Sequence, residues 1–416
     1  MTTKERIGIL HYTSAPVTGG VENIITEHAR LFAEHGFPVT VISGRGEQEA
    51  LPEGADLALL PLLDSQHPQV LQINRDLEEG TVPAAFADLS RLIERALKPA
   101  VSQVDHLFIH NVLFKHFNLP LTAALYRLID SGTIHHVIAW AHDLSWTSAH
   151  SRSKLFPGYP WDLLRRYDSR ITYVAISQER QRETAQLLGR DETDVHVVYG
   201  GLDVRSVLGL TPEGEALVKH LGLLGDELVM LMPVRITQAK NIEAGIRVTA
   251  RLASQGLSVH LVVTGPPDPH EPQSMAYFES LRTLRTELGV EKQVSFVFEE
   301  GADPHEPNLI GPEVVGDLLR VSDLMLMPSW REGFGLPVLE AGLAGVPVFS
   351  APIPAALEAG GRDVHLFSAD EDPEQLAREI LSWAASDPVY RLRGRVREQF
   401  TWDHIFQTQI LPLLRQ

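Results

Sequence analysis

Residues Pro328 to Glu340 read PSWREGFGLPVLE. Just before them lies Asp323 to Met327 (DLMLM), an apolar run short enough for a buried parallel strand. Just after, Val338 to Ala344 is helix-forming, with Pro337 suited to the first helical position. The turn between them carries Gly333 and Gly335, which leave the backbone free to approach a ligand closely. A strand, a glycine turn and an exposed helix N-terminus make an anion site, because unpaired N–H groups and the helix dipole both point outward. Glu332 precedes the turn and Glu340 lies one turn into the helix. The pattern fits a ligand both anionic and rich in hydroxyls, with amides for phosphate and carboxylates for sugar or ribose OH. An ordinary strand-turn-helix would explain the glycines and the apolar strand, but not two glutamates so spaced.

Outward from this stretch, apolar strands alternate with helical segments in both directions. Upstream, and in the same half of the chain, the strands read Leu228 to Pro233, Val259 to Gly265 and Val294 to Phe298; downstream they read Val346 to Phe349 and Val364 to Phe367. An earlier series comprises Arg6 to Tyr12, Pro38 to Ser43, Leu57 to Leu62, His106 to His110, Val137 to His142, Ile171 to Ile176 and Val195 to Val198. Such alternation predicts βαβ units and parallel sheets. The fold class is therefore α/β, with two Rossmann-like domains. Tyr199 to Asp203 (YGGLD) reads as the exit from the first domain, and the tail from Asp387 is helical in pattern. Thr18-Gly19-Gly20-Val21-Glu22 opens a helix running to about His35, with Gly36 as its C-cap. The rhythm breaks from Leu144 to Asp168, a long loop at a strand's C-terminal end, where α/β proteins place function.

At 416 residues the chain is too long for one compact core. Its 44% apolar and 22% charged content is that of a soluble globular protein. No apolar run is long enough to span a bilayer, and the N-terminus passes straight into a strand, so neither signal peptide nor anchor is expected. The expected location is cytoplasmic. Zero cysteines exclude disulfides and thiolate metal sites. A net charge of −18 argues against a broad footprint for nucleic acid or anionic lipid, so bound phosphate must meet a few local cations and amides. Arg235 and Lys240, in PVRITQAKNIEAG, follow the first strand of the second half and suit a diphosphate. Asp268-Pro-His-Glu-Pro272 recurs as Asp303-Pro-His-Glu-Pro307; both lie in proline-rich stretches and read as exposed connections rather than metal ligands. Asp370-Glu371-Asp372 precedes Pro373 and reads as helix-capping charge.

The Pro328 to Glu340 stretch, with its continuation AGLAGVPVFSAPIPAALEAGG (Ala341 to Gly361), resembles the E-x7-E motif of retaining glycosyltransferases of family 4, which have the two-domain GT-B architecture. The resemblance implies two parallel-sheet domains facing across a cleft: an acceptor domain over 1–203, a nucleotide-sugar donor domain over 204–400, and a C-terminal helix over 401–416 crossing back to the first. It implies that Glu332 contacts the donor sugar hydroxyls, Glu340 binds the ribose, and amides of Phe334, Gly335 and Leu336 reach the diphosphate. Arg235 and Lys240 would neutralise the departing nucleotide; the family's Lys is usually followed by Gly, where this chain has Asn241. Gly19 and Gly20 would lie against the donor phosphates or the acceptor. His142, one of 18 histidines, would contact the donor sugar, with Asp143 adjacent.

The activity so implied moves a hexose from a UDP- or GDP-sugar to a hydroxyl acceptor with retention, by front-face displacement, without metal or cofactor. The expected partners are the nucleotide-sugar donor and a small-molecule or glycan acceptor, with no nucleic acid; self-association is left open. The Leu144 to Asp168 loop, with Trp146, His150, Arg152, Lys154 and Tyr159, is the candidate acceptor wall, or else a lid or a dimer contact. Two other readings stand beside this one, a nucleotide-sugar epimerase of GT-B form and a non-catalytic sugar-nucleotide binding protein.

Overall fold

The computed structural model describes residues 4–301 and 306–415. The second copy of the repeated loop, at Asp303 to His305, lies outside them. The chain forms two compact units, Met1–Leu202 with Phe400–Gln416, and Asp203–Gln399.

The first unit holds seven strands: β1 (Ile7–Leu10), β2 (Val39–Ser43), β3 (Ala55–Leu59), β4 (His106–His110), β5 (His136–Ala141), β6 (Ile171–Ala175) and β7 (Val195–Val197). They pair in parallel in the order β3-β2-β1-β4-β5-β6-β7. Successive side chains of a strand point to opposite faces. Leu107 and Ile109 accordingly enter one core layer while Phe108 enters the other, and Ile138 and Trp140 oppose Val137 and Ala139 in the same way. Both faces are covered, which is why these strands read as unbroken apolar runs.

The second unit repeats the scheme with β8 (Leu228–Met232), β9 (Val259–Val263), β10 (Val294–Phe296), β11 (Leu324–Met327), β12 (Val348–Ser350) and β13 (His365–Leu366). The order is β10-β9-β8-β11-β12-β13, again all parallel. Each sheet therefore starts in its middle and reverses direction once, between β1 and β4 and between β8 and β11. In open α/β sheets ligands bind outside the carboxyl ends of the strands at such a reversal.

Three expectations shift. The third strand is displaced from Leu57–Leu62 to Ala55–Leu59 because Pro61 opens a tight turn at Pro61–Leu63. The strand expected at Val346 starts at Val348, since the Val346 amide closes the preceding helix on the Ala341 carbonyl. The Leu144 to Asp168 segment is not a plain loop. It contains a short helix, Ala149–Arg152, and a turn, Trp161–Arg165, and it buries Leu144, Trp146, Leu155, Trp161 and Leu164. No helix among the described residues is long and apolar enough to cross a membrane.

Candidate functional site

In the second unit the chain leaves β8 through Pro233 to Lys240 and leaves β11 through Pro328 to Gly335. Two bonds tie the two exits together, and a third ties them to the segment after β13. The Trp330 amide donates to the Ala239 carbonyl (2.9 Å), and Asn241 Nδ2 donates to the carbonyls of Pro328 (3.2 Å) and Ala369 (2.9 Å). Asn241 can do this because it sits in the left-handed region (φ +50°, ψ +49°), which asparagine tolerates nearly as well as glycine. Asn241 thus takes a left-handed turn and adds a side-chain tether to it.

Lys240 Nζ lies 2.6 Å from Glu332 Oε1, with both side chains mostly buried, and Ser329 Oγ donates to the same oxygen at 3.1 Å. Arg235 is largely exposed and meets Asp268 at 3.8 Å. Lys240, Glu332, Arg235 and Asp268 line one open cleft of about 820 Å³, together with Gln238, Gly333 and Pro337. Asp268 is thus not an idle connection, as its sequence suggests, but the counter-charge of Arg235. No cluster of three His, Asp or Glu suited to a metal occurs among the described residues.

The helix after the turn runs Leu336–Ala344, one residue earlier than expected. Gly335 caps it with φ +87°, and a Cβ there would stand 3.2 Å from the Ala355 carbonyl oxygen, so the position wants glycine on both counts. The amides of Phe334, Gly335 and Leu336 make no backbone hydrogen bond among the described residues. Glu340 is exposed on the helix, whose buried face is Val338 and Ala341, and it does not line the cleft. Arg235, Lys240 and Glu332 are therefore brought together, while Glu340, Phe334 and Leu336 face solvent beside them.

His142, Gly19 and Gly20 belong to the first unit. Gly19 caps the Gly20–Glu34 helix, and the Glu22 carboxylate folds back over it. Thr13 Oγ1 donates to Glu22 Oε1 at 2.5 Å, and His11 Nε2 stands 3.9 Å from the same oxygen. His11 Nδ1 carries a proton, since it donates to the His110 carbonyl at 2.8 Å. His142 is 5% exposed, with Nε2 2.9 Å from His110 Nδ1. Asn111, at φ +61°, accepts from the amides of His142 (3.0 Å) and Asp143 (3.1 Å) through Oδ1 and so fixes the end of β5. Burial pushes His142 down to about 3, and neighbouring His11 and His28 push the same way. Burial likewise holds His110 well below the ordinary imidazole range and lowers His11. The imidazoles are neutral at physiological pH, available as hydrogen-bonding groups and not as cations.

Sequence reasoning missed Glu22, His110 and Asn111. The His110-Asn111 pair closing an apolar strand was the available signal. Of the expected acceptor wall, Trp146 is unavailable: the guanidiniums of Arg152 and Arg165 cover its faces at 4.4 and 4.3 Å, and its Nε1 donates to the Trp161 carbonyl. Lys154 pairs with Glu78, whereas His150, Arg152 and Tyr159 are exposed.

Two Rossmann-like units, one with an ionic cleft at its strand-order reversal, define an α/β protein of the ligand-binding, doubly wound class. Family models match nearly end to end: "Glycosyltransferase Family 4" over residues 18–206 and "Glycosyl transferases group 1" over residues 215–399. The chain belongs to this glycosyltransferase family. It is similar to D-inositol 3-phosphate glycosyltransferases of Rhodococcus erythropolis (27% identical, covering 56% of this chain and 50% of that protein) and Streptomyces avermitilis (30%, covering 55% and 48%). The chain spans about half the length of these curated relatives. A solved glycosyltransferase from Rickettsia africae aligns over 99% of this chain and 98% of its own at 16% identity and a TM-score of 0.37, too slight a likeness to bear weight.

Proposed function

We propose that the chain is a retaining glycosyltransferase that moves a hexose from a UDP- or GDP-sugar to a hydroxyl acceptor, in the cytoplasm and without a metal. The observation that carries this reading is the buried Lys240–Glu332 pair, beside the freer Arg235, at the reversal of the second sheet. A nucleotide diphosphate entering there offers Lys240 a stronger anionic partner and leaves the Glu332 carboxylate for sugar hydroxyls. The leaving diphosphate is then stabilised by fixed cations and by amides at the Leu336 helix start, which is electrostatic preorganisation rather than Lewis-acid chemistry. Glu340, exposed and unpaired among the described residues, is free to accept ribose hydroxyls.

The test is incubation with UDP-glucose and GDP-mannose in excess EDTA, following release of free UDP or GDP. Slow hydrolysis of one donor supports the reading. Tight binding with no turnover for any donor or acceptor supports a binding protein instead, and activity restored only by magnesium or manganese refutes metal independence. Glu340→Ala should weaken UDP or GDP binding by about tenfold or more, the cost of losing charge-assisted bonds. Unchanged affinity by calorimetry would remove Glu340 from the ribose.

A further inference from the structure

The outer edge of the second sheet carries a pocket that the ionic cleft does not use. β12 and β13 pair so that Phe349 and His365 stand side by side, and such neighbours point to the same face of a sheet. Their rings stack, with centroids 4.5 Å apart and planes 14° from parallel. The Pro373–Ser386 helix buries Leu376, Ala377, Ile380 and Ala384. Glu379, Ser382, Trp383 and Ser386 follow one another at helical spacings of three and four, so they share one side of it. Trp383 is half-buried, meeting Phe349 edge-on at 5.6 Å and Tyr390 at 5.2 Å between ring centroids. The stacked pair, Leu366 and the four helix residues line a pocket of about 380 Å³. It shares no residue with the cleft and lies at β13, two strands beyond β11.

The lining selects among ligands. Glu379 is its carboxylate, and no lysine or arginine lines it among the described residues, so phosphates and nucleotides meet no counter-charge there. At two residues, β13 is too short to template a strand added by another chain. Aromatic rings beside a carboxylate and two hydroxyls suit a ligand with apolar faces and a rim of hydroxyls. A glucose-type pyranose has that form. Its hydroxyls are equatorial, its axial C–H bonds leave both ring faces apolar, and C–H groups pack on the electron-rich faces of aromatic rings. Ser386 Oγ already donates to the carbonyls of Ser382 and Trp383 (3.0 Å each), so it is left to accept, as is Glu379. A quaternary ammonium would use the rings and the carboxylate but leave both hydroxyls idle.

We propose that this edge pocket binds a glucose-type pyranose of a neutral glycan, apart from the cleft of the same unit. The site uses neither a nucleotide nor a reacting bond, so it does not rest on the glycosyltransferase reading. It tethers a glycan by a ring that is not itself transferred.

The test is calorimetric titration of the full chain with cellotetraose and with maltotetraose, each expected to be followed also by quenching of tryptophan fluorescence if it binds. Trp383→Leu removes the aromatic face and keeps apolar bulk. Ser382→Arg fills the mouth from an exposed position and guards against misfolding, with circular dichroism as the check, and Trp383→Phe restores a ring. Affinity for the bound oligosaccharide should fall about tenfold or more in the first two variants and recover in part in the third. Wild-type chain that binds neither oligosaccharide overturns the site, as do folded variants that bind as wild type does. Choline that binds wild type where neither sugar does would make the pocket a cation cage and overturn the ligand assigned to it. UDP titrated into the same variants reads the cleft, so a failure of the donor reading is seen separately.

Discussion

A lysine held 2.6 Å from a glutamate is a poor resting place for two charges unless something replaces one of them. If the replacement is a departing diphosphate, Lys240 and Arg235 contribute most when negative charge is greatest. Their truncation should then lower kcat and not only raise KM. Lys240→Met and Arg235→Ala are each expected to cost about a hundredfold in rate, and the double variant less than the product of the two, because both act on one group. Steady-state kinetics on the three variants decide this, with melting curves as a control, since Lys240→Met also strands a mostly buried carboxylate. Near-normal kcat in both singles would move the diphosphate elsewhere. His28 offers a second test at this scale. It is fully buried among Trp140, Trp402 and Phe108, neither ring nitrogen has a hydrogen-bond partner among the described residues, and burial lowers it to about 3 from an ordinary value of 6.5. Above pH 6.5 both folded and unfolded states are neutral and nothing is lost. Between 6.5 and 3 only the unfolded state takes the proton, so stability falls by up to about 1.4 kcal/mol per pH unit. Melting between pH 8 and 5 should show a shallower fall in His28→Phe than in wild type; parallel curves would mean that His28 finds a proton partner after all.

At the scale of elements, the two glycine turns differ in why they need glycine. Gly335 needs it for a positive φ. Gly19 is extended at φ −171°, which any residue adopts, but a Cβ there would fall 2.1 Å from the Glu22 carboxylate. A Cβ at Gly20 would meet no other group within 4 Å among the described residues. Gly19→Ala should therefore fold, because a flexible carboxylate can swing aside, yet lose the contacts of Glu22 with Thr13 and His11 and lower turnover several-fold. Gly20→Ala should behave as wild type or gain slightly in stability. Equal effects of the two on turnover would show that Glu22 does not matter. This contrast was not legible in the sequence, where Gly19-Gly20 is simply a pair before a helix. Strand identity was legible, since a strand covered on both faces must be apolar throughout; β4 appears in the sequence at its observed bounds and β11 within one residue. Ends were less legible: the turn opened by Pro61 and the helix closure at Val346 were passed over, and β3 and β12 moved. Lys240 and Glu332 stand 92 positions apart, and only the pairing of β8 with β11 makes them neighbours. A pattern-based reading can nominate both without foreseeing the bond. Trp146 does not serve the expected acceptor wall, because Arg152 and Arg165 from further along the same segment fold over it, which the composition of the stretch does not reveal.

At the scale of the molecule, the chain leaves its first unit at Leu202 and returns to it at Phe400. The return is anchored by backbone: the Leu202 amide donates to the Phe400 carbonyl (2.8 Å) and the Trp402 amide to the Leu202 carbonyl (3.2 Å). The Tyr199 amide is held by Gln409 Oε1 at 3.1 Å. Trp402, Ile405, Phe406, Ile410 and Leu413 then enter the same core layer as β1 and the Gly20–Glu34 helix, with Phe406 5.0 Å from Phe32 and 4.6 Å from His35 between ring centroids. The helix that presents Gly19 and Glu22 is thus packed by the last residues of the chain. Phe406→Ala should cost the first unit about 3–5 kcal/mol, the range for emptying a buried aromatic site. A single melting temperature is a poor measure in a two-unit protein, so amide hydrogen exchange is the proper readout. Protection should drop across β1, β2 and β4 and remain unchanged across β8, β9 and β11. Equal loss in both sheets would mean that the units unfold as one, and unchanged protection in β1 would mean that the tail only covers a core that stands without it.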